Sequence, residues 1–149
     1  MQVRYSQLRS WNRMNTHGLG FMILCMVAAG FLSTMNVWAD SWSDISWSVN
    51  DIYMTGLMNS WMIFFMGLFG ANVQWTLIGI VAAAVFIVLI RKQAFVSESQ
   101  YLRGMIPHHS MAVFMSKRLA EKQNGIPEFL QKIVGTQREE IEFMRGRLL

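Results

Sequence analysis

An all-α fold, with three membrane-crossing helices followed by an extramembrane pair of helices, is the architecture this sequence predicts, and three observations predict it. The first is a gap in charge. Of 149 residues 53% are hydrophobic and 15% charged, and from Gly18 to Ile90 there is no Lys or Arg, with Asp40, Asp44 and Asp51 the acids in that stretch. A soluble domain carries about 25% charged residues. The second is that the gap divides into three apolar runs, each close to the ~20 residues a helix needs to cross about 30 Å of hydrocarbon. The third is a change of pattern after Arg91, where apolar residues recur at helical spacing among charges. Together these exclude a single soluble globular domain and a disordered chain. One Cys excludes a disulfide scaffold, and thirteen basic residues split between the two ends of the chain form no nucleic-acid patch.

In chain order, residues 1–18 form a tail carrying Arg4, Arg9 and Arg13. The membrane domain spans residues 19–92, with helices expected over about 19–39, 52–70 and 73–90, the last ending on Arg91-Lys92. Trp38, Trp42 and Trp47 surround the Asp-bearing loop, and Trp75 stands at the start of the third segment, as aromatic rings do at headgroup level. The N-terminal tail holds three arginines and the loop from Asp40 to Asp51 no base, so the N-terminus is expected in the cytoplasm and, after three crossings, the C-terminal part outside it. Arg91 and Lys92 pull the other way. The first segment also reads loosely as a cleaved signal peptide ending at Val37-Trp38-Ala39, but its apolar run exceeds the ~7–15 residues of a signal core.

Residues 93–149 read as a helix pair. From Ser99 to Lys122 the residues Leu102, Met105, Ile106, His109, Ala112, Val113, Leu119 and Ala120 fall at helical spacing, and Pro107 either kinks this helix or marks its start. Asn124-Gly125 stops it and Pro127-Glu128 starts the next, whose stripe is Phe129, Leu130, Ile133, Val134, Gln137, Ile141, Met144 and Leu148.

The densest chemical signal is Met105-Ile106-Pro107-His108-His109-Ser110-Met111 with Met115 beyond it. His108, Met111 and Met115 form an i, i+3, i+7 row with Met105 one turn earlier, while His109 turns toward the stripe of Met105, Ala112 and Leu119. Imidazole with thioether suits Cu(I) or Ag(I) better than Zn(II) or Mg(II), and thioethers need no deprotonation. The competing reading is packing: Met fills irregular gaps in cores, and histidines sit there hydrogen-bonded. On the second helix Gln137, Glu140 and Met144 repeat the i, i+3, i+7 spacing, and Glu140 is placed to orient an imidazole across the pair. Glu139 and Glu142 read as a solvated face. In the membrane part Met54, Met58, Met62 and Met66 make an i, i+4 ladder, either a secondary metal path or polarisable packing between helices. No G-x-S-x-G, P-loop or C-x-x-C occurs, so nucleophilic catalysis has no support, and no enzyme is expected.

The strings Met105-Ile106-Pro107-His108-His109 and Gln137-x-x-Glu140-Ile141-x-x-Met144 resemble the bacterial domain of unknown function 305, a His-His helical-hairpin family grouped with the ferritin-like superfamily. Tyr53-Met54-Thr55-x-Leu57-Met58 resembles the opening of the second helix in its three-transmembrane-helix subgroup. The sequence departs from the family in Ser110 and Met111 and in a lysine-free segment from Gly70 to Gln74. The resemblance implies a helix pair often duplicated into a four-helix bundle, copper handling outside the cytoplasm in some members, and His108 and His109 as the motif pair, with Gln137, Glu140 and Met144 matching on the second helix.

One helix pair of ~45 residues is too small to hold a core alone. Dimerisation to a four-helix bundle is the favoured completion, docking on the membrane helices the other. The expectation is therefore a protein of the bacterial inner membrane that binds copper or silver for tolerance or hand-off, with the bilayer, a second copy and a metal-transport or respiratory complex as partners. The alternative class is an interaction module with the His pair as buried core. A ferritin-like iron oxidase ranks last, because only Glu140 among the carboxylates is well placed.

Overall fold

The computed structural model describes residues 16–148, and side chains from Gly20 onward. The tail with Arg4, Arg9 and Arg13 therefore lies outside the described residues. Among those described there are five α-helices and no strand: α1 (Thr16–Leu32), α2 (Val49–Phe69), α3 (Val73–Lys92), α4 (Glu98–Ala120) and α5 (Pro127–Leu148). Short 3-10 turns lie at Met35–Trp38 and Trp42–Asp44. Three helical segments, Gly20–Trp38, Val49–Phe69 and Val73–Lys92, are long and apolar enough to cross a membrane, with mean hydropathies of 1.8, 1.4 and 2.5.

The described residues divide into two compact units, one of residues 16–32 and 52–94, the other of residues 33–51 and 95–148. In the first unit α1, α2 and α3 approach closely at small residues. A Cβ on Gly30 would stand 2.6 Å from Thr55, one on Gly56 2.3 Å from the Phe86 ring, and one on Gly79 2.3 Å from the backbone nitrogen of Phe64. Between apolar helices, where lipid competes equally for apolar surface, such close approach is a main source of association. The polar residues of α2 satisfy themselves locally: Asn59 donates to the Thr55 carbonyl and Ser60 to the Gly56 carbonyl, both at 2.8 Å. At the α2–α3 turn Asn72 accepts from the Trp75 N–H at 3.2 Å and caps α3, whose last turn holds Arg91 and Lys92. Tyr53 donates its hydroxyl to the Ala94 carbonyl.

In the second unit α4 and α5 pack along one another around Leu102, Ile106, Ile141 and Met144, with Met105 and Leu148 against them. Ser97 caps α4, Pro127 opens α5 where its missing N–H leaves no bond unmade, and Lys117 and Arg118 close α4.

Four expectations change. The first segment is not one helix to Ala39: α1 stops at Leu32, because Asn36 takes up the chain beyond, donating to the Ser46 carbonyl and accepting from the Ser46 N–H, both at 2.9 Å. Pro107 neither starts nor divides its helix, since α4 begins at Glu98 and runs through it with the ring buried. Phe129 is 57% and Leu119 40% exposed, and Ala120 is exposed too, so the stripes fade toward the connecting loop. Finally, the helix pair is not bare within its own chain: Ser33–Asp51 packs with it. Asp51 starts that junction by accepting from the Ser48 N–H and hydroxyl at 2.8 and 3.0 Å, half of a capping box for α2.

Candidate functional site

The α4–α5 interface has an apolar end and a polar continuation. One turn from Met105 on α4 stands His109, and one turn from Met144 on α5 stands Glu140, so the facing rows bring the imidazole and the carboxylate together. His109 Nδ1 lies 3.0 Å from Glu140 Oε2, with the His109 side chain 14% and the Glu140 side chain 48% exposed. Nδ1 is buried, and its approach to Glu140 is an ion-pair contact rather than a well-aligned hydrogen bond. Gln137 donates to the same Oε2 at 3.3 Å and steadies it.

Burial is the main influence on the imidazole and lowers its pKa from the usual 6.5; the Glu140 charge opposes this and the neighbouring His108 adds to it. The folded chain thus keeps His109 neutral to lower pH than the unfolded chain does. Between 6.5 and the lowered value the unfolded state binds more protons, so this group's contribution to stability is present above pH 6.5 and lost as pH falls through the folded value. An imidazole NMR titration is expected to place the His109 midpoint below 6.5. Glu140→Gln is expected to lower it further by removing the opposing charge. A midpoint at or above 6.5 contradicts this account.

The other candidates are distributed as follows. Met105 is half-buried and Met144 buried at 5% exposure, both in the cluster next to His109. Met111 is half-buried, whereas His108 is exposed and Met115 is 52% exposed. The His108 and His109 ring centres are 6.0 Å apart with planes at 57°, so the two imidazoles diverge. The structure thus brings together His109, Gln137 and Glu140, places Met105 and Met144 in the apolar cluster one helical turn away, and leaves His108 and Met115 exposed. Among the described residues no three His, Cys, Asp or Glu side chains gather as a metal site. The methionine ladder also divides: Met54 and Met58 are 59% and 38% exposed, while Met62 and Met66 are half-buried.

A second polar centre was not foreseen. Ser110, fully buried, accepts from the Asp40 N–H at 2.8 Å and donates to Asp44 Oδ2. Asp44, 6% exposed, is paired with Arg145, and Arg145 reaches Ser43 at 2.6 Å and Glu142 at 3.2 Å. Asp40 is paired with Lys117 and lies 3.7 Å from Arg138. Beside these groups is a polar cavity of about 290 Å³, bordered by Asp40, Asp44, Arg138, Glu142 and Arg145. The signal was present: two acids alone in a loop without bases, opposite helices rich in them. Their role is to fasten residues 33–51 over α4 and α5.

Comparison with known proteins follows this geometry. Residues 84–148 match the family described as "Domain of unknown function (DUF305)". An uncharacterized protein of Acanthamoeba polyphaga mimivirus is 39% identical over 142 residues, covering 91% of this chain and 93% of its own. No solved structure matches.

Proposed function

The chain belongs to the DUF305 family, and from that premise we propose that it is a membrane-anchored protein that binds Cu(I) or Ag(I) on its His-bearing helix pair, for tolerance or hand-off. The observation that carries this reading is the buried Nδ1 of His109, which lies 3.0 Å from a Glu140 carboxylate oxygen without a well-aligned hydrogen bond to it. A buried polar atom without a hydrogen bond calls for an explanation such as an ion. Two donors about 3 Å apart are spaced as neighbours on an ion with bonds of ~2 Å. Burial keeps the imidazole unprotonated, the form in which it ligates. Met105 and Met144 lie one helical turn from His109 and Glu140, and neutral thioethers are donors that favour soft monovalent ions over iron or zinc. Exposed His108 and Met115 suit a second copy of the chain, whose pairing would make a four-helix bundle of ferritin-like type.

The three apolar helices are read as spans. Three crossings put residues 33–51 and the helix pair on one side of a membrane, in keeping with their forming one unit. The arginines of the tail favour an extracytoplasmic side, and the membrane is read as a bacterial inner one. A second reading, an assembly module, draws on Met144, whose 5% exposure is that of a core residue.

The test is elemental analysis of detergent-purified protein loaded with Cu(I) under reductant and washed with a competing chelator. His109→Ala is expected to lose about one copper per chain, and Glu140→Gln to weaken retention, as replacing the charged neighbour on the ion does. Equal retention by His109→Ala and the native chain overturns the reading and leaves the assembly module.

A further inference from the structure

Within the first unit α1 and α2 run antiparallel, since Gly30 lies against Thr55 while Met22 and Met26 border the same cavity as Met62 and Met66. Each pair of methionines is spaced i, i+4, so on each helix the two side chains stack one turn apart on one face. The four methionines line a small cavity together with Ile23, Ile63 and Asn59. Asn59 is held in place by its 2.8 Å bond to the Thr55 carbonyl.

We propose that this cavity is a binding site for one dehydrated soft monovalent cation, Cu(I) or Ag(I), in the membrane segment of the protein. Size sets the first limit. The cavity measures about 10 Å³, room for one atom-sized guest, since a single water needs about that much. A hydrated ion or an organic molecule does not fit. Charge sets the second limit. Neither the run from Gly20 to Ala39 nor that from Ile52 to Ile90 contains an Asp, Glu, Lys or Arg, so nothing there neutralises a divalent ion. Donor chemistry sets the third: hard sodium, potassium, magnesium and calcium ions take oxygen ligands, whereas neutral thioethers select soft Cu(I) and Ag(I). The site uses the inner half of the methionine ladder and adds Met22 and Met26 from the other helix. Met54 and Met58, more exposed, are not part of it. It does not depend on the His109 reading.

Leucine conserves the volume of methionine and removes the sulfur, so it separates ligation from packing. The experiment uses the full chain in detergent, with ¹³C-methyl methionine, in a Cys25→Ser/His108→Ala/His109→Ala background so that neither the free thiol nor the imidazoles of the helix pair take the silver. On titration with redox-inert Ag(I), the Met22, Met26, Met62 and Met66 methyl signals are expected to shift together at the first equivalent while Met54 and Met58 stay in place. Replacing all four by Leu is expected to remove one retained silver per chain, and Met54→Leu/Met58→Leu none. A folded four-Leu variant that retains the same silver overturns the proposal. So does a native chain that binds silver without moving those four signals, a measurement that stands even where the four-Leu variant fails to fold.

Discussion

Asp44→Ala is expected to release residues 33–51 from α4 and α5 and to lower the stability of the second unit by about 3 kcal/mol. The magnitude follows from what the carboxylate holds. Asp44 is 6% exposed, accepts the hydroxyl proton of fully buried Ser110 and pairs with Arg145. Its removal strands the hydroxyl and leaves the guanidinium without its buried partner. The Arg145 side chain is 31% exposed and keeps Glu142 at 3.2 Å, which holds the cost at the lower end of that for a broken buried pair. Ser110→Ala is expected to cost less, about 1 kcal/mol, because Asp44 retains Arg145. Hydrogen exchange reports the result residue by residue: the Asp40 amide, bonded to Ser110 at 2.8 Å, and the Val49 amide, bonded to Gln100 at 2.9 Å, lose protection together in Asp44→Ala. Asp44→Leu combined with Arg145→Met is expected to recover part of the loss, since an apolar pair strands no charge. Unchanged protection in Asp44→Ala means the loop is held by something other than this centre.

That centre also marks where the sequence stopped being legible. Helices were readable because their information is local: the charge gap bounds the three apolar segments, Asn72 and Ser97 cap α3 and α4, and Pro127 opens α5. The end of α1 was not, because it is set by Asn36 bonding across ten residues to Ser46. The loop's docking rests on partners 66, 77 and 101 residues away, Ser110, Lys117 and Arg145, and no periodicity encodes such distances. The helix pair was expected to need a second copy or the membrane helices; within the chain, residues 33–51 join it in one unit.

The candidate site divides on the same principle. Spacing says which residues share a helix face, so Glu140 could be placed to orient an imidazole across the pair, while which of the two histidines it meets stayed open. It does not say which face a neighbour covers, so the row of His108, Met111 and Met115 looked equivalent to the one that includes His109, although Met115 is 52% exposed. The same limit explains the ladder. An i, i+4 row drifts around its helix, so Met54 and Met62 end in different surroundings. Met22 and Met26 joined it only when α1 was placed beside α2.

Gly79→Ala is expected to disrupt the packing of α2 on α3, with a net loss of about 2 kcal/mol in detergent unfolding, the scale of an overpacked core. Two effects oppose each other. In a helix interior Ala is favoured over Gly by about 1 kcal/mol, which alone makes the variant more stable. Against this, the new Cβ would stand 2.3 Å from the backbone nitrogen, 2.5 Å from the Cα and 2.8 Å from the Cβ of Phe64. Backbone cannot rotate aside as a side chain does, so the helices must separate. Separation is costly between apolar helices because their association rests on contact rather than on exclusion of water. Gly67, where a Cβ would meet the Thr76 nitrogen at 2.3 Å, belongs to the same junction, so Gly67→Ala is expected to behave alike. The two changes together are expected to cost less than their sum, because the first has already parted the helices. Gly20→Ala supplies the control: nothing lies within 4 Å of its Cβ position, so it has the propensity gain without the clash and is expected to be neutral or stabilising. Equal stability of Gly79→Ala and Gly20→Ala would mean that α2 and α3 do not approach as closely as their glycines allow.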